Sequence, residues 1–351
     1  MKIGKVTGNA LKRSVLKPIT YRRDEILKGA GIGEDCALFA VPEGYLLTSC
    51  VQEAAVAGKA DMALLIGRCA NSLAAAGSQP IAATLGLILP QSMEEPQLKA
   101  LMTDAHEACK ALQMQIAGGH TTVSSAVNCP LAVVTAYGLV QKCQPEKEHQ
   151  AAKKDSAAAQ ECGSIRTMKG LAAGQDIVLS KWIGLEGTAL LAEKYNESLK
   201  SRYPAYMIEE AEGFTKYMSV LPEAAVAVKS GVGYMHDASE GGILAALWEM
   251  AESKGVGLTI DLKKLPIRQE TVEVCEHVGV NPYELLSGGC LIMTTEDGIG
   301  LVNSLEQAHI PAVIIGKITD SKERLILNED EVRYMDRPGV DEIYRKVPEG
   351  V

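Results

Sequence analysis

Residues 236–261 read HDASEGGILAALWEMAESKGVGLTID. Ile243, Leu244, Leu247, Met250 and Ala251 recur at the spacing of one helix face, which predicts an amphipathic helix starting at the two glycines. Ahead of it, Asp237 and Ser239 are residue types that cap free helix amides. Gly241 and Gly242 let a backbone or a phosphate approach those amides closely. Capping of the helix alone explains the same residues. A strand is predicted at 256–261.

The mixture of strands and helices continues on both sides. In the second half, strands are predicted at 176–180, 290–294 and 312–318, and helices after 188 and at 207–217, 222–230, 268–278, 282–287 and 297–308. In the first half, residues 6–17 read as a loop and then a short helix, and strands fall at 45–51, 81–89 and 131–140. The helix at 61–76 carries Met62, Leu65, Ile66, Cys69 and Leu73 on one face and Arg68, Asn71, Ser72 and Ala75 on the other. A second helix spans 94–112, and a short strand at 114–117 leads into Gly118, Gly119 and His120. From Gln141 to Gly170 the chain turns to Gln, Lys, Glu, Ala and Ser with little periodicity, as in a linker. The reading is a two-domain α+β protein: domain 1–145, linker 146–170, domain 171–335 and tail 336–351.

Composition limits the partners. The 351 residues suffice for two cores. A net charge of −9 argues against nucleic acid or an anionic membrane as the main partner. Nine cysteines, an odd number without a C-x-x-C pair, suit reduced thiols in a cytoplasm. The first residues lack the apolar stretch of a signal peptide, and no apolar run is long enough to span a bilayer. Lys12, Arg13, Lys17, Arg22 and Arg23 form a local basic patch that reads as a solvated face or as a phosphate-steering surface.

Three further stretches carry chemistry. In GIGEDCA (31–37), Glu34 and Asp35 offer two adjacent carboxylates suited to Mg²⁺, or an exposed acidic turn. In ANSLAAAGSQP (70–80), small residues let a ligand or a packed neighbour come close. In IAGGHTTVS (116–124), Gly118 and Gly119 suit close approach of phosphate, but a histidine stands where a metal–nucleotide site would want a carboxylate.

Taken in order with KWIGLEGTALLA (181–192) and VCEHVGVNPYELLSGGCLI (274–292), these stretches resemble the AIR synthase-related superfamily of PurM-like ATP-binding proteins, and within it the HypE-like hydrogenase maturation branch. The resemblance covers about residues 28–330. It implies a PurM-like fold of two α+β domains, a homodimer through the N-terminal domains, and ATP with Mg²⁺ in a cleft at the dimer and domain interface. Position by position it implies nucleotide contacts at Glu34, Asp35, Asn71, Gly118, Gly119, His120, Thr121, Asp237, Gly241 and Gly242, with Asp35 and Asp237 as metal ligands. Three family carboxylate positions are replaced, by Cys50, Ser72 and His120. The terminal cysteine that the HypE reaction uses has no counterpart in the closing residues Pro348–Glu349–Gly350–Val351.

Mg²⁺ prefers hard oxygen ligands to thiol or imidazole, so these replacements weaken a metal site. Three readings follow: an ATP-dependent maturation factor with a weakened Mg²⁺ site, a catalytically inactive homodimeric binding protein that kept the fold, and a soft-metal site built from Cys50, His120 and Cys36. The sequence names no catalytic residue and no acceptor substrate.

Overall fold

The computed structural model describes residues 4–31, 36–58, 60–142 and 170–346. Glu34, Asp35, Cys143, Cys162, most of the predicted linker and residues 347–351 lie outside the described residues. The strands, in chain order, are β1 (Gly4–Lys5), β2 (Ile26–Lys28), β3 (Leu38–Phe39), β4 (Tyr45–Ala55), β5 (Gln79–Pro90), β6 (Gln115–Ser124), β7 (Leu131–Gln141), β8 (Asp176–Ser180), β9 (Tyr234–Ala238), β10 (Gly257–Asp261), β11 (Cys290–Thr295), β12 (Ala312–Thr319), β13 (Arg324–Asn328) and β14 (Glu331–Tyr334).

The first domain is built on a sheet ordered β1-β6-β5-β7-β4, in which only β5 and β6 run parallel. Strand alternation gives its two faces different tasks. The row Cys50, Ala136, Ala83, Ile116 looks toward the helices Asp61–Ala75 and Glu95–Ala111 and packs in one core with Leu65, Ile66, Cys69 and Met102. The row Glu53, Val133, Gly86, His120 looks the other way; β2 and β3 cover one end of that face, with Ile26 and Phe39 packed on Ala82, Tyr137 and Leu139, and the end at Val51 and Val133 is left bare. Leu47, Val51 and Val133 are 42%, 58% and 37% exposed on that bare face.

The second domain holds a seven-stranded sheet ordered β14-β13-β10-β12-β8-β11-β9, parallel only between β10 and β13. Its central strands are buried on both faces. Ile177, Leu179 and Ile292 pack with the helix Gly242–Lys254, while Val178, Leu291 and Met293 pack with Val220, Ala224 and Leu301. Ala74 and Ala75 of the first domain enter that second cluster, so the Asp61–Ala75 helix is the seam between the domains.

Several expectations change. The strand expected at 114–117 runs on: Gly118–Thr121 is the middle of β6, paired with β5 on one side, while β1 pairs only at Thr122 and Val123. Gly119 has φ +153°, and a Cβ there would lie 2.1 Å from the Leu85 carbonyl oxygen, so the glycine answers strand crowding rather than a turn. The helix expected at 6–17 is a short helix, Gly8–Ala10, capped by Thr7, followed by a wider π-type stretch, Leu11–Leu16. No helix forms at 282–287, where the backbone instead bonds Ser287 N to the Ser239 carbonyl and Leu286 N to Asp341. His106 is buried against Thr20. Within the tail, 336–340 are exposed, whereas Asp341, Glu342 and Ile343 are buried and Glu342–Lys346 is helical. No described helix is long and apolar enough to cross a membrane.

Candidate functional site

Arg68, Asn71 and Ser72 share the face of the Asp61–Ala75 helix that turns away from its own sheet. All three reach the second domain. Arg68 Nε donates to Glu186 Oε1 at 2.8 Å. Asn71 Nδ2 donates to the Met218 carbonyl at 2.7 Å, and its Oδ1 accepts from Val220 N at 3.0 Å. Ser72 Oγ donates to Asp237 Oδ2 at 3.2 Å. Asn71 is buried and engaged at both ends of its amide, so its described role is to hold the domains together rather than to face a ligand.

Burial dominates the electrostatics of this seam. It raises the Asp237 carboxyl above its usual range, against the pull of His236 and the Ser72 hydrogen bond. Burial likewise raises Glu186, opposed by Arg68 and reinforced by the nearby carboxylates of Asp341 and Asp237. Glu186 Oε2 has no hydrogen-bond partner and lies 2.0 Å from where a Cβ on Gly288 would sit, so it faces the 286–289 loop.

A cleft of about 270 Å³ opens beside this seam, lined by Gln52, Glu53, Arg68, Ser239, Glu240 and Tyr344. At its second-domain side, Gly241 and Gly242 take φ of +80° and +71° at the start of the Gly242–Lys254 helix. A Cβ on Gly242 would meet the Tyr283 carbonyl at 2.5 Å. The Gly241 amide already has an anionic partner, donating to Asp341 Oδ2 at 2.6 Å, while Leu286 N and Ile343 N donate to Asp341 Oδ1 at 3.2 and 2.8 Å. Burial raises the Asp341 carboxyl despite these three amides.

Gly118, Gly119, His120 and Thr121 lie elsewhere. They border a second cavity of about 270 Å³ in the first domain, roofed by Leu11, Val15 and Ile19 and walled by Leu87 and Met102. β6 and β4 are three strand spacings apart, roughly 14 Å, so one phosphate group cannot touch both the glycine stretch and the β4 side of the cleft within one chain.

The three substituted family positions do not converge either. Cys50 Sγ donates to the Cys69 carbonyl at 3.2 Å on the helix-covered face. His120 stands on the bare face, and Ser72 belongs to the seam. Cys50 and His120 therefore cannot share a metal within one chain. Among the described residues no three His, Cys, Asp or Glu side chains gather to hold an ion. Asp237 with a serine beside it is short of the oxygen ligands that Mg²⁺ requires.

Arg68, Glu186 and Asp341 were not singled out as site residues by the sequence. Glu186 gave a signal, an acid in the apolar run IGLEGTALL. Asp341 gave none, being separated from Gly241 by a hundred positions.

Comparison with known proteins agrees with this architecture. Residues 33–140 match the model of the AIR synthase related protein N-terminal domain, and residues 172–328 match its C-terminal domain. A Methanocaldococcus jannaschii protein named for hydrogenase expression/formation is 25% identical over 268 residues, covering 75% of this chain and 72% of its own. The crystal structure of E. coli HypE, a hydrogenase maturation protein, superposes with a TM-score of 0.72 at 20% identity over 95% of this chain and 99% of that one. A HypE structure in complex with ATP superposes with a TM-score of 0.69 at 15% identity over 95% of each.

Proposed function

We propose that this chain, which belongs to the AIR synthase related family, is a homodimeric protein of the HypE-like branch that binds a nucleotide or another phosphate compound with little help from Mg²⁺. The observation that carries the reading is the cavity against Gly118–Thr121. It has an apolar wall for a ring and an edge of open backbone at the glycines, the usual composition of a small-molecule site. The ATP bound by a HypE of the same fold supports a nucleotide as the occupant. The bare face of the first sheet, with Leu47, Val51 and Val133 exposed side by side, suits a second copy of the chain. Dimerisation through that face would let one site draw on both copies, which the separation of the glycine stretch from the Arg68–Asp237 cleft calls for.

The metal part of the family site is where this chain departs. The described residues, which leave out Glu34 and Asp35, do not assemble a Mg²⁺ site. This favours binding over turnover, and with it the reading as a catalytically inactive binding protein over an ATP-dependent maturation factor. Titration calorimetry of the purified chain with ATP, ADP and adenosine tests the proposal, with Leu11→Trp as the cavity-filling control. Saturable nucleotide binding that Leu11→Trp abolishes supports it. No binding of any of the three, or binding that Leu11→Trp leaves unchanged, rejects it.

A further inference from the structure

Cys50 and Cys69 meet where the first sheet touches its helix. Cys50 is a half-buried residue of β4 on the helix-covered face, and Cys69 is fully buried in the Asp61–Ala75 helix. Cys50 Sγ donates to the Cys69 carbonyl at 3.2 Å, and Cys69 Sγ donates to the Val134 carbonyl at 3.6 Å. Gln52 stands opposite Val134 and Cys50 opposite Ala136 in the β4–β7 ladder, so both sulfurs lie over the same short stretch of that ladder. The two residues pack in one core, and their chain neighbours Val51 and Arg68 line the interdomain cleft.

The two thiols hold their protons unequally. When Cys50 is a thiolate, the Cys69 thiol hydrogen-bonds to it. This holds Cys50 below the ordinary thiol value, against burial and the nearby Asp237 carboxylate, and the Ala136 backbone adds to the effect. Cys69 is raised, first by that same hydrogen bond and then by burial. Burial alone, or burial foremost, pushes Cys109, Cys275 and Cys290 up to about 12, where a thiol is inert at neutral pH. A partly exposed sulfur of lowered pKa beside a second, protonated thiol is the arrangement of a redox-sensing pair.

We propose that Cys50 and Cys69 form a redox-modification site, at which a peroxide oxidises Cys50 and Cys69 then closes a disulfide between β4 and the seam helix. In the first step the Cys50 sulfur attacks one peroxide oxygen, the O–O bond breaks, and the departing hydroxide takes up a proton as water. The sulfur has passed two electrons to the peroxide and carries a sulfenic OH. In the second step the Cys69 sulfur attacks the Cys50 sulfur, the S–O bond breaks, and the hydroxide leaves with the Cys69 proton as a second water. The sum is two thiols and one hydrogen peroxide giving one disulfide and two waters. The negative charge on Cys50 that raises Cys69 is gone once Cys50 carries oxygen, which frees Cys69 to attack. The disulfide replaces the hydrogen bond from Cys50 to the Cys69 carbonyl. It fastens β4 to the helix whose other face holds the second domain through Arg68, Asn71 and Ser72. The inference concerns these thiols alone and stands whether or not a nucleotide binds.

The test uses the full chain, reduced, freed of reductant and given one equivalent of hydrogen peroxide at neutral pH. Remaining thiols are blocked with iodoacetamide, and the intact mass and a non-reducing peptide map are read. The expected result is the loss of two free thiols and two hydrogens per oxidised chain, with fragment spectra that place the bridge between Cys50 and Cys69. Cys69→Ala should leave Cys50 as a sulfenic acid that dimedone traps. Cys50→Ser should leave Cys69 a thiol, and Cys36→Ser should form the bridge as the unaltered chain does. In urea the preference for this pair should vanish, because the fold creates it. Oxidation of the folded chain at Cys36 or Cys129 ahead of Cys50, Cys50 driven to sulfinic acid while Cys69 stays a thiol, or no oxidation of either, overturns the proposal. The unaltered chain decides alone if a variant fails to fold.

Discussion

Ser72→Asp puts a second carboxylate beside the buried Asp237. Ser72 Oγ lies 3.2 Å from Asp237 Oδ2, and burial already raises Asp237. A second carboxylate at that spacing repels the first by about 5 kcal/mol at an effective dielectric of about 20. Without metal, the pair shares a proton and its apparent pKa rises further. The sign follows from linkage: the folded state then binds more protons than the unfolded chain, so stability falls as pH rises through the raised value and is regained as pH drops toward the ordinary carboxylate range. Mg²⁺ offers the other relief. At a hundred times its dissociation constant, a ligand bound only by the folded state adds about 2.7 kcal/mol. Urea unfolding of the variant and the unaltered chain, at neutral and mildly acidic pH and with Mg²⁺ or EDTA, reads all of this. The variant should lose stability at neutral pH, recover it on acidification, and gain from Mg²⁺ where the unaltered chain does not. A variant as stable as the parent at neutral pH, with no response to Mg²⁺, would refute the reasoning.

Other perturbations test the seam and the bare face. Arg68→Ala leaves the buried Glu186 without its cation and should cost about 3–5 kcal/mol in urea unfolding; because Glu186 is already raised, the cost should shrink as pH falls, and a cost below about 1 kcal/mol would contradict the buried pair. Asn71→Ala strands the Val220 amide and the Met218 carbonyl, for a loss of about 1–3 kcal/mol, and should speed hydrogen exchange at 218–221 rather than within the first-domain sheet. Val51→Asp combined with Val133→Asp puts charge on the proposed dimer face; sedimentation should change from dimer to monomer with the helical spectrum kept, and an unchanged sedimentation coefficient would remove that face from consideration.

The parts of the molecule legible in sequence are those written in local periodicity. The Gly242–Lys254 and Asp61–Ala75 helices could be read because their apolar stripes face a core a few residues deep in pattern. Gly118–Gly119 was read as lying past the end of its strand, but pairing with β5 carries the strand through both glycines, and that pairing is tertiary. Asn71 and Ser72 were picked out as nucleotide or metal positions, yet their side chains meet Met218, Val220 and Asp237 across the domain seam. No local spacing encodes such contacts. The same holds for Asp341, whose partner amides at Gly241 and Leu286 come together only after the second domain has folded.

Titrating the unaltered chain with ATP in Mg²⁺ and again in EDTA, with free phosphate release followed in parallel, tests the central point most directly. With Cys50 turned to the Cys69 carbonyl, Ser72 capping Asp237 and His120 on the bare face, ATP affinity should agree within about threefold, well under 1 kcal/mol, between the two conditions, with no Mg²⁺-dependent release of phosphate. ATP binding that collapses in EDTA, accompanied by steady magnesium-dependent hydrolysis, would contradict it.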